Sequence, residues 1–148
     1  MRLSAKGRYA LAATTSMAEE NKDNECITLI SISEKLGISK IYLEQVFSLL
    51  KRGGIVNSVK GSQGGYQLSR ATHKITVYDI LFSVETALFE DTEETLAGKA
   101  PEIEIAMKSV VFDPLDLALS STLKQITLSD LVDEARKNKT EQGFMFYI

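Results

Sequence analysis

The sequence predicts a mainly α-helical fold with a small β-hairpin, arranged as a winged helix-turn-helix followed by a long dimerisation helix. Three observations predict this fold. Residues 39–52 form an amphipathic helical pattern with a serine cap and a glycine exit. A glycine-rich hairpin pattern follows at 55–68, and apolar residues at helical spacing extend over 101–126. Two short helices followed directly by a hairpin are typical of a winged helix.

The charges are divided unevenly along the 148-residue chain, whose net charge is −3. Residues 1–80 hold 11 Lys and Arg against 7 Asp and Glu, whereas residues 81–148 hold 6 against 13. A basic front half is expected where only one half of a protein faces phosphates. Chance variation in surface charge is the alternative.

The sequence shows neither a membrane segment nor a secretion signal. No apolar stretch reaches the roughly 20 residues that span a membrane, and the first residues lack a signal-peptide pattern. The single cysteine excludes an internal disulfide and fits a reducing compartment. We therefore expect a cytoplasmic protein with no membrane partner.

A first helix is predicted over 3–20. Arg2, Lys6 and Arg8 place three positive charges in its first turns, where they oppose the helix dipole. This local cost is easier to explain if the three side chains face phosphates. Ser4 is expected to cap the helix, with a phosphate contact as the alternative.

The second and third helices form the predicted helix-turn-helix. The second is expected at 29–36, with Gly37 at its end and either Thr28 or Ser31 as its cap. The third begins at the N-cap Ser39. Its buried stripe is predicted to be Leu43, Val46, Phe47 and Leu50. Its outer face is predicted to carry Lys40, Ile41, Glu44, Gln45 and Ser48, with Tyr42 at the edge.

The predicted wing pairs strands at 55–59 and 66–68 across a loop with three glycines in six residues. Lys60 leads into this loop. Lys60 and Gly61 are expected to approach a DNA groove or a phosphate. The alternative is that the glycines only satisfy the positive φ angles that hairpins need.

Residues 1–85 are predicted to form one winged helix-turn-helix DNA-binding domain, followed by an acidic, solvated loop at 86–100. The domain is expected to close with a helix over about 77–86. A threonine cap at Thr76, with an aspartate three residues later, predicts the start of that helix.

Residues 101–138 are predicted to form a dimerisation helix and a short final helix. The face of the dimerisation helix is too apolar for a helix exposed to solvent, so we expect this helix to pack against a second copy of the protein. Pro114 predicts a kink or break near 111–114, because an interior proline costs about 3 kcal/mol. A second Thr-x-x-Asp cap at 127–130 predicts the final helix over about 128–138.

Residues 139–148 form the predicted C-terminal tail, which ends in Phe146, Tyr147 and Ile148. Chain ends are normally polar and loosely held, so an apolar end calls for a partner. The tail is expected to pack on its own body or its dimer mate, or to dock into a pocket of another protein.

Three motifs occur in order: Leu3-Ser4-Ala5-Lys6-Gly7-Arg8-Tyr9-Ala10, Ser39-x-x-Tyr42-Leu43-Glu44-Gln45 and Lys60-Gly61-x-x-Gly64-Gly65-Tyr66. Together they resemble the Rrf2 (Rrf-two) family of bacterial transcription regulators, strongly over 1–85 and more loosely to residue 138. The resemblance implies a homodimer that binds double-stranded DNA. The DNA contacts that it implies are Ser39, Ile41, Tyr42, Glu44 and Gln45 on the recognition helix, and Lys60 and Gly61 on the wing.

The resemblance also bears on cofactors. Cluster-binding members of the family hold three cysteines between the wing domain and the dimer helix. Residues 86–112 of this chain contain neither cysteine nor histidine, which excludes thiolate ligation of an iron–sulfur cluster by this segment. No metal or other cofactor is therefore expected. His73, the only histidine, is predicted to be exposed to solvent.

The tail resembles that of the family's cysteine-metabolism repressors (CymR type), which implies a repressor of cysteine or sulfur metabolism genes. The resemblance further implies cysteine synthase as a partner for the tail. One alternative is a redox-sensing regulator switched through Cys26, although a lone cysteine is more often a small buried hydrophobe. Another is a winged-helix module that binds only proteins. No catalytic constellation supports an enzyme.

Overall fold

The computed structural model describes the backbone of residues 2–20 and 25–146, and the side chains of these ranges up to residue 143. The elements are α1 (Ala5–Glu20), α2 (Leu29–Leu36), α3 (Lys40–Arg52), β1 (Val56–Val59), β2 (Gly65–Leu68), α4 (Val77–Val84), α5 (Pro101–Met107), α6 (Asp113–Gln125) and α7 (Leu128–Phe146). Short 3-10 turns occupy Thr72–Lys74 and Thr86–Phe89, and a π-helical turn over Lys108–Phe112 joins α5 to α6. The predicted mainly α-helical fold with one small hairpin is confirmed.

The core lies where α1 packs against α3, α4 and the start of α7. Small residues on α1 permit this close packing, since Ala10 and Ala13 are both 0% exposed. The predicted stripe of α3 is confirmed, because all four of its apolar residues are fully buried. The largest fully buried side chains include Phe47, Met17, Ile32, Leu43, Leu50, Ile55, Ile75, Ile80, Leu81 and Leu128.

Side-chain caps and one glycine define the helix-turn-helix. The Thr28 hydroxyl accepts a hydrogen bond from Ser31 N at 3.2 Å, so Thr28 and not Ser31 is the cap of α2. Helix α2 ends at Gly37, whose φ of 68° is left-handed. Helix α3 then begins at Ser39, whose hydroxyl accepts from Tyr42 N at 3.1 Å. These findings confirm the predicted bounds of both helices.

The hairpin pairs β1 with β2 in antiparallel register, with Val56 opposite Leu68 and Val59 opposite Gly65. Ile27 adds a single bridge to its base. Ile27 N donates to Tyr66 O at 2.9 Å, and Tyr66 N donates to Ile27 O at 2.8 Å. The base of the wing is therefore fixed to the segment that leads into α2.

The two Thr-x-x-Asp caps lie side by side. In each, the threonine hydroxyl accepts from the aspartate N–H, and the carboxylate accepts from the threonine N–H, at 2.9–3.1 Å. Val77 N donates to Ile126 O and Leu128 N donates to Ile75 O, both at 2.8 Å. These bonds hold the end of α6 against the start of α4. Helix α4 ends at Val84, two residues earlier than predicted.

The helix runs from α5 to α6 through a π-helical turn without interruption, so of the kink or break predicted near 111–114 the break was wrong. The turn at Lys108–Phe112 is widened to π geometry, and Asp113 N donates to Lys108 O. Pro114 has no N–H to donate, and the wider turn accommodates it within helical backbone. The Lys108 ammonium contacts Asp113 Oδ1 at 2.7 Å, and this hydrogen bond raises the pKa of Lys108.

The acidic loop is tied down at its far end. The Glu104 carboxylate, only 8% exposed, accepts from Thr95 N and Leu96 N at 3.0 Å each. The Glu104 carboxylate therefore holds the loop against the first turn of α5. The acidic residues of the loop are exposed as predicted: Glu90, Asp91, Glu93 and Glu94.

Helix α7 is longer than the predicted 128–138, and it takes up much of the predicted tail. It extends to Phe146, because Lys139, Glu141 and Gln142 favour a helix and Gly143 does not end it. Residues 136–142 are all exposed, so this half of α7 does not pack on the described body. The side chain of Phe146, together with Tyr147 and Ile148, lies outside the described residues. None of the helices described is both long and apolar enough to cross a membrane.

Candidate nucleic-acid interface

Helix α3 buries one face and leaves the other open. The exposed positions are Ser39, Lys40, Ile41, Glu44, Gln45 and Ser48. Among them Ile41 is 72% exposed and lines a shallow concavity with Glu44, Gln45 and Ser48. This open face offers hydrogen-bond donors, acceptors and one apolar group. These are the groups that distinguish base pairs in the major groove.

Ser39 serves both the helix and the outer surface. Its oxygen is engaged as the cap of α3, while its hydroxyl hydrogen is left to donate to another group. The cap fixes the position of this hydroxyl at the start of the open face. Ser39 can therefore make one directed hydrogen bond outward without loss of the cap.

Lys40 and Glu44 form an ion pair on the open face. Lys40 Nζ lies 3.8 Å from a Glu44 carboxylate oxygen, and both side chains are about half exposed. Exposed pairs of this kind contribute about 0–1 kcal/mol. The pair is weak enough to separate when either partner meets a base edge or a phosphate.

Two aromatic contacts hold α3 in place. The rings of Tyr9 and Tyr42 meet edge to face at 5.1 Å, which places the second turn of α1 beside the first turn of α3. The rings of Phe47 and Tyr66 are 4.9 Å apart and link the middle of α3 to β2. Through these contacts the fold brings together α1, the recognition helix and the wing.

The predicted phosphate contacts on α1 are available. Arg2 and Arg8 are exposed and Lys6 is partly covered, and within the described ranges none of the three forms an ion pair. Ser4 acts as the predicted N-cap. Its hydroxyl accepts from Gly7 N at 3.3 Å, and its carbonyl oxygen accepts from Arg8 N at 3.1 Å.

The wing presents Lys60 and Gly61 at its tip, where both are exposed. Gly61 has a φ of 118°, a conformation that side chains rarely adopt, so the turn requires glycine there. Lys60 has no ion-pair partner in the part of the chain that the structure describes. Backbone and charge at the tip are both open to a ligand.

Arg70, which the sequence patterns did not single out, ties the wing to α4. Its guanidinium donates to Lys74 O at 2.9 Å and to Gly54 O at 3.2 Å, and contacts Asp79 Oδ2 at 3.0 Å. Its charge is therefore used within the fold. The sequence shows only that Arg70 is a basic residue just after β2. That position does not distinguish an arginine that stabilises the fold from one that contacts DNA.

Cys26 and His73 are both away from any donor cluster. Cys26 is partly exposed and directly precedes the Ile27 bridge to the wing. His73 is exposed on the short turn after the wing, as predicted. Across the described ranges, no three His, Cys, Asp or Glu side chains are grouped so as to hold a metal ion.

Comparison with known proteins gives one consistent family. Residues 3–134 match the Rrf2 family, described as iron-dependent transcriptional regulators. The HTH-type transcriptional regulator IscR of Vibrio campbellii is 34% identical over 134 residues, which cover 90% of this chain and 79% of the relative. IscR of Cereibacter sphaeroides is 36% identical over 137 residues, covering 89% and 87% of the two chains.

Solved structures agree with this family. CymR (YrzC), the global cysteine regulator of B. subtilis, superposes with a TM-score of 0.73 at 30% identity, covering 90% of this chain and 98% of that one. T. potens IscR gives a TM-score of 0.73 at 33% identity, covering 99% and 97%. Both kinds of regulator are thus equally similar to this chain in fold.

The iron in the family description does not fit the residues of this chain. A cluster needs thiolate or imidazole ligands, and residues 86–112 contain neither. The carboxylate of Glu104 is in that region, but two backbone N–H groups already occupy it. Residues 86–112 therefore do not offer the ligands of an iron–sulfur cluster.

The fold, the open face of α3 and the comparisons lead to one conclusion. The matched family and the relatives are transcriptional regulators, which form a non-enzymatic family. The family match covers more than half of the chain, and relatives above 30% identity span most of it. This chain belongs to the Rrf2 family of DNA-binding transcriptional regulators.

Proposed function

We propose that the chain is a cytoplasmic homodimeric repressor that binds a pseudo-palindromic DNA site, with α3 of each subunit in the major groove. One observation carries the proposal. The Tyr9–Tyr42 contact holds the open face of α3 beside the turns of α1 that carry Lys6 and Arg8. A base-reading face next to unpaired cations suits a duplex, whose phosphates flank its grooves.

The side chains divide by role. Arg2, Lys6 and Arg8 contact phosphates and set the register of the protein on the duplex. Ser39, Tyr42 and Gln45 contact base edges, and Gln45 can pair with adenine through two hydrogen bonds. The Lys60 ammonium and the Gly61 backbone approach the flanking minor groove. Lysine enters a narrow minor groove less readily than arginine, so readout of groove shape is weak.

The test is selection of bound fragments from the source genome, followed by gel shifts at several salt concentrations. We expect an inverted repeat with half-sites one helical turn apart, roughly 34 Å, and affinity that falls steeply with salt. Failure to prefer any fragment over random DNA at every salt concentration would contradict the proposal. That result would favour the protein-interaction module instead.

An exposed apolar surface on the α5–α6 helix supports the proposed dimer. Its large residues have exposed fractions between 44% and 73%: Ile103, Ile105, Val110, Val111, Leu115 and Leu117. A monomer rarely leaves so many large apolar residues exposed on one helix. A second copy is the partner that the family resemblance implies, and the tie between α6 and α4 would then fix the spacing of the two recognition helices.

The regulated genes are proposed to be those of cysteine or sulfur metabolism, with cysteine synthase docking on the C-terminal tail. Two observations support this proposal: the tail resembles that of the cysteine-metabolism repressors, and the chain is similar to a protein described as a global cysteine regulator. The test is co-elution with cysteine synthase after deletion of Tyr147 and Ile148, with Lys139→Ala on α7 as the control. Loss of co-elution only in the deletion supports the proposal, and unchanged co-elution contradicts it.

A redox switch at Cys26 is a second candidate for the signal. Its thiol is partly exposed, and the next residue bonds the base of the wing. Oxidation by peroxide to a sulfenic acid would enlarge and polarise the side chain at that point. Peroxide should then weaken DNA binding by the wild type and leave Cys26→Ser unaffected. Equal responses of the two proteins would exclude this candidate.

A further inference from the structure

The side chain of Glu85, which directly follows α4, completes the N-terminal cap of α1. Its Oε1 accepts a hydrogen bond from Ser4 N at 2.6 Å. Ser4 in turn accepts from Gly7 N through its hydroxyl. In an ordinary capping box, the residue at the position of Gly7 supplies the carboxylate that returns to the cap N–H. Here the carboxylate comes from 81 residues further along the chain.

Gly7 leaves room for this carboxylate. A Cβ atom at Gly7 would collide with Glu85 Oε2 and would press on the side chain of Leu81. The φ of Gly7 is not in the left-handed region, so its backbone conformation alone would allow alanine. Space for Glu85 is therefore the requirement for glycine at this position.

The other carboxylate oxygen also points to a specific role. Glu85 Oε2 is buried and has no hydrogen-bond partner among the described residues. Such an oxygen is costly to bury unless a compensating charge is near. The positive end of the α1 dipole supplies that compensation, and the same carboxylate offsets the unfavourable placement of Arg2, Lys6 and Arg8.

Glu85 is also fixed at a junction. Its N–H donates to Leu81 O at 2.7 Å at the end of α4, and its carbonyl oxygen accepts from Leu88 N at 3.1 Å. The acidic loop and the α5–α6 helix follow directly. One side chain therefore connects the turns of α1 that carry the cations to the segment that leads to the α5–α6 helix.

We propose that Glu85 is a positioning residue for DNA binding, which holds the start of α1 so that its cations meet the phosphates. The inference rests on the proposed function. It also provides a route by which movement of the 86–100 segment changes DNA affinity. The acidic residue thereby strengthens binding to an anionic partner, which is opposite to the effect of its charge alone.

The first test measures DNA affinity against salt for Glu85→Ala and Glu85→Gln. Glu85→Ala should weaken binding several-fold and reduce the slope of log K against log salt by about 0.9 for each phosphate that the protein no longer neutralises. Glu85→Gln should weaken binding less than Glu85→Ala, because its amide oxygen can still accept from Ser4 N–H but the charge that faces the positive end of α1 is lost. Tighter binding by both variants would overturn the proposal. Equal weakening of both with an unchanged slope would also overturn it.

The second test needs no DNA, so its failure is distinct from failure of the proposed function. Gly7→Ala should lower the Tm in the wild type, because the new methyl group displaces the Glu85 carboxylate. In a Glu85→Ala background the same change should lower the Tm much less, since the carboxylate is gone and only the contact with the Leu81 side chain remains. An equal loss of Tm in both backgrounds would show that Glu85 does not occupy this space, and would overturn the proposal.

Discussion

The rings of Tyr9 on α1 and Tyr42 on α3 meet edge to face, with the two planes at 90° and the centroids 5.1 Å apart. Tyr9 directly follows Arg8, and Tyr42 lies at the edge of the open face of α3. The two rings therefore set the distance between the turn proposed to bind phosphates and the turn proposed to contact bases. Removing one of the rings should affect both kinds of DNA binding together.

Tyr9→Ala should destabilise the protein by about 1–2 kcal/mol, because the edge-to-face pair and its packed area are removed. DNA affinity should fall for all sequences, because α3 is then held less firmly against α1. Tyr9→Phe is the matched control, since it keeps both rings and removes a hydroxyl to which no DNA contact is assigned. Urea denaturation and gel shifts measure the two effects. Equal stability of Tyr9→Ala and wild type would contradict the role of this ring pair.

Local signals in the sequence were sufficient for much of the fold. The caps at Ser39, Thr76 and Thr127 were predicted because each uses residues within three positions of one another. The buried stripe of α3 was predicted because its spacing repeats along one helix. The exposed faces of α3 and the wing followed from the same patterns.

The remaining features depend on residues far apart in the chain. Glu85 and Ser4 are 81 positions apart, and no periodicity relates them. Arg70 is a basic residue beside the wing, as a DNA contact would be. Only its hydrogen bonds to Gly54 and Asp79 show that it stabilises the fold. The length of α7 was underestimated because residues 136–142 lack the apolar pattern that marks a packed helix.

Ile41 is expected to contact a thymine methyl group, because it is the apolar group on an otherwise polar open face. Replacing thymine by uracil at the contacted position of a selected fragment should weaken binding by the wild type. The same replacement should have no effect on Ile41→Ala, in which the side chain no longer reaches the methyl group. A uracil effect of equal size in both proteins would exclude this contact.

Val110→Glu should convert the proposed dimer to a monomer, because it places a charge within the exposed apolar surface of the α5–α6 helix. Analytical ultracentrifugation measures the oligomeric state. Ser121→Glu adds the same charge at an exposed polar position of α6 and should leave the dimer intact. A dimer that survives Val110→Glu and Leu115→Glu together would place the interface elsewhere.

In the proposed complex, α3 reads the base sequence while the start of α1 binds phosphates. Affinities for a selected fragment and a scrambled one are compared for wild type, Gln45→Ala and Lys6→Ala across a range of salt concentrations. Gln45→Ala should lose about 1–3 kcal/mol on the selected fragment and nothing on the scrambled one. Lys6→Ala should weaken both equally and reduce the salt slope by about 0.9. Equal losses on both fragments for Gln45→Ala would contradict the claim.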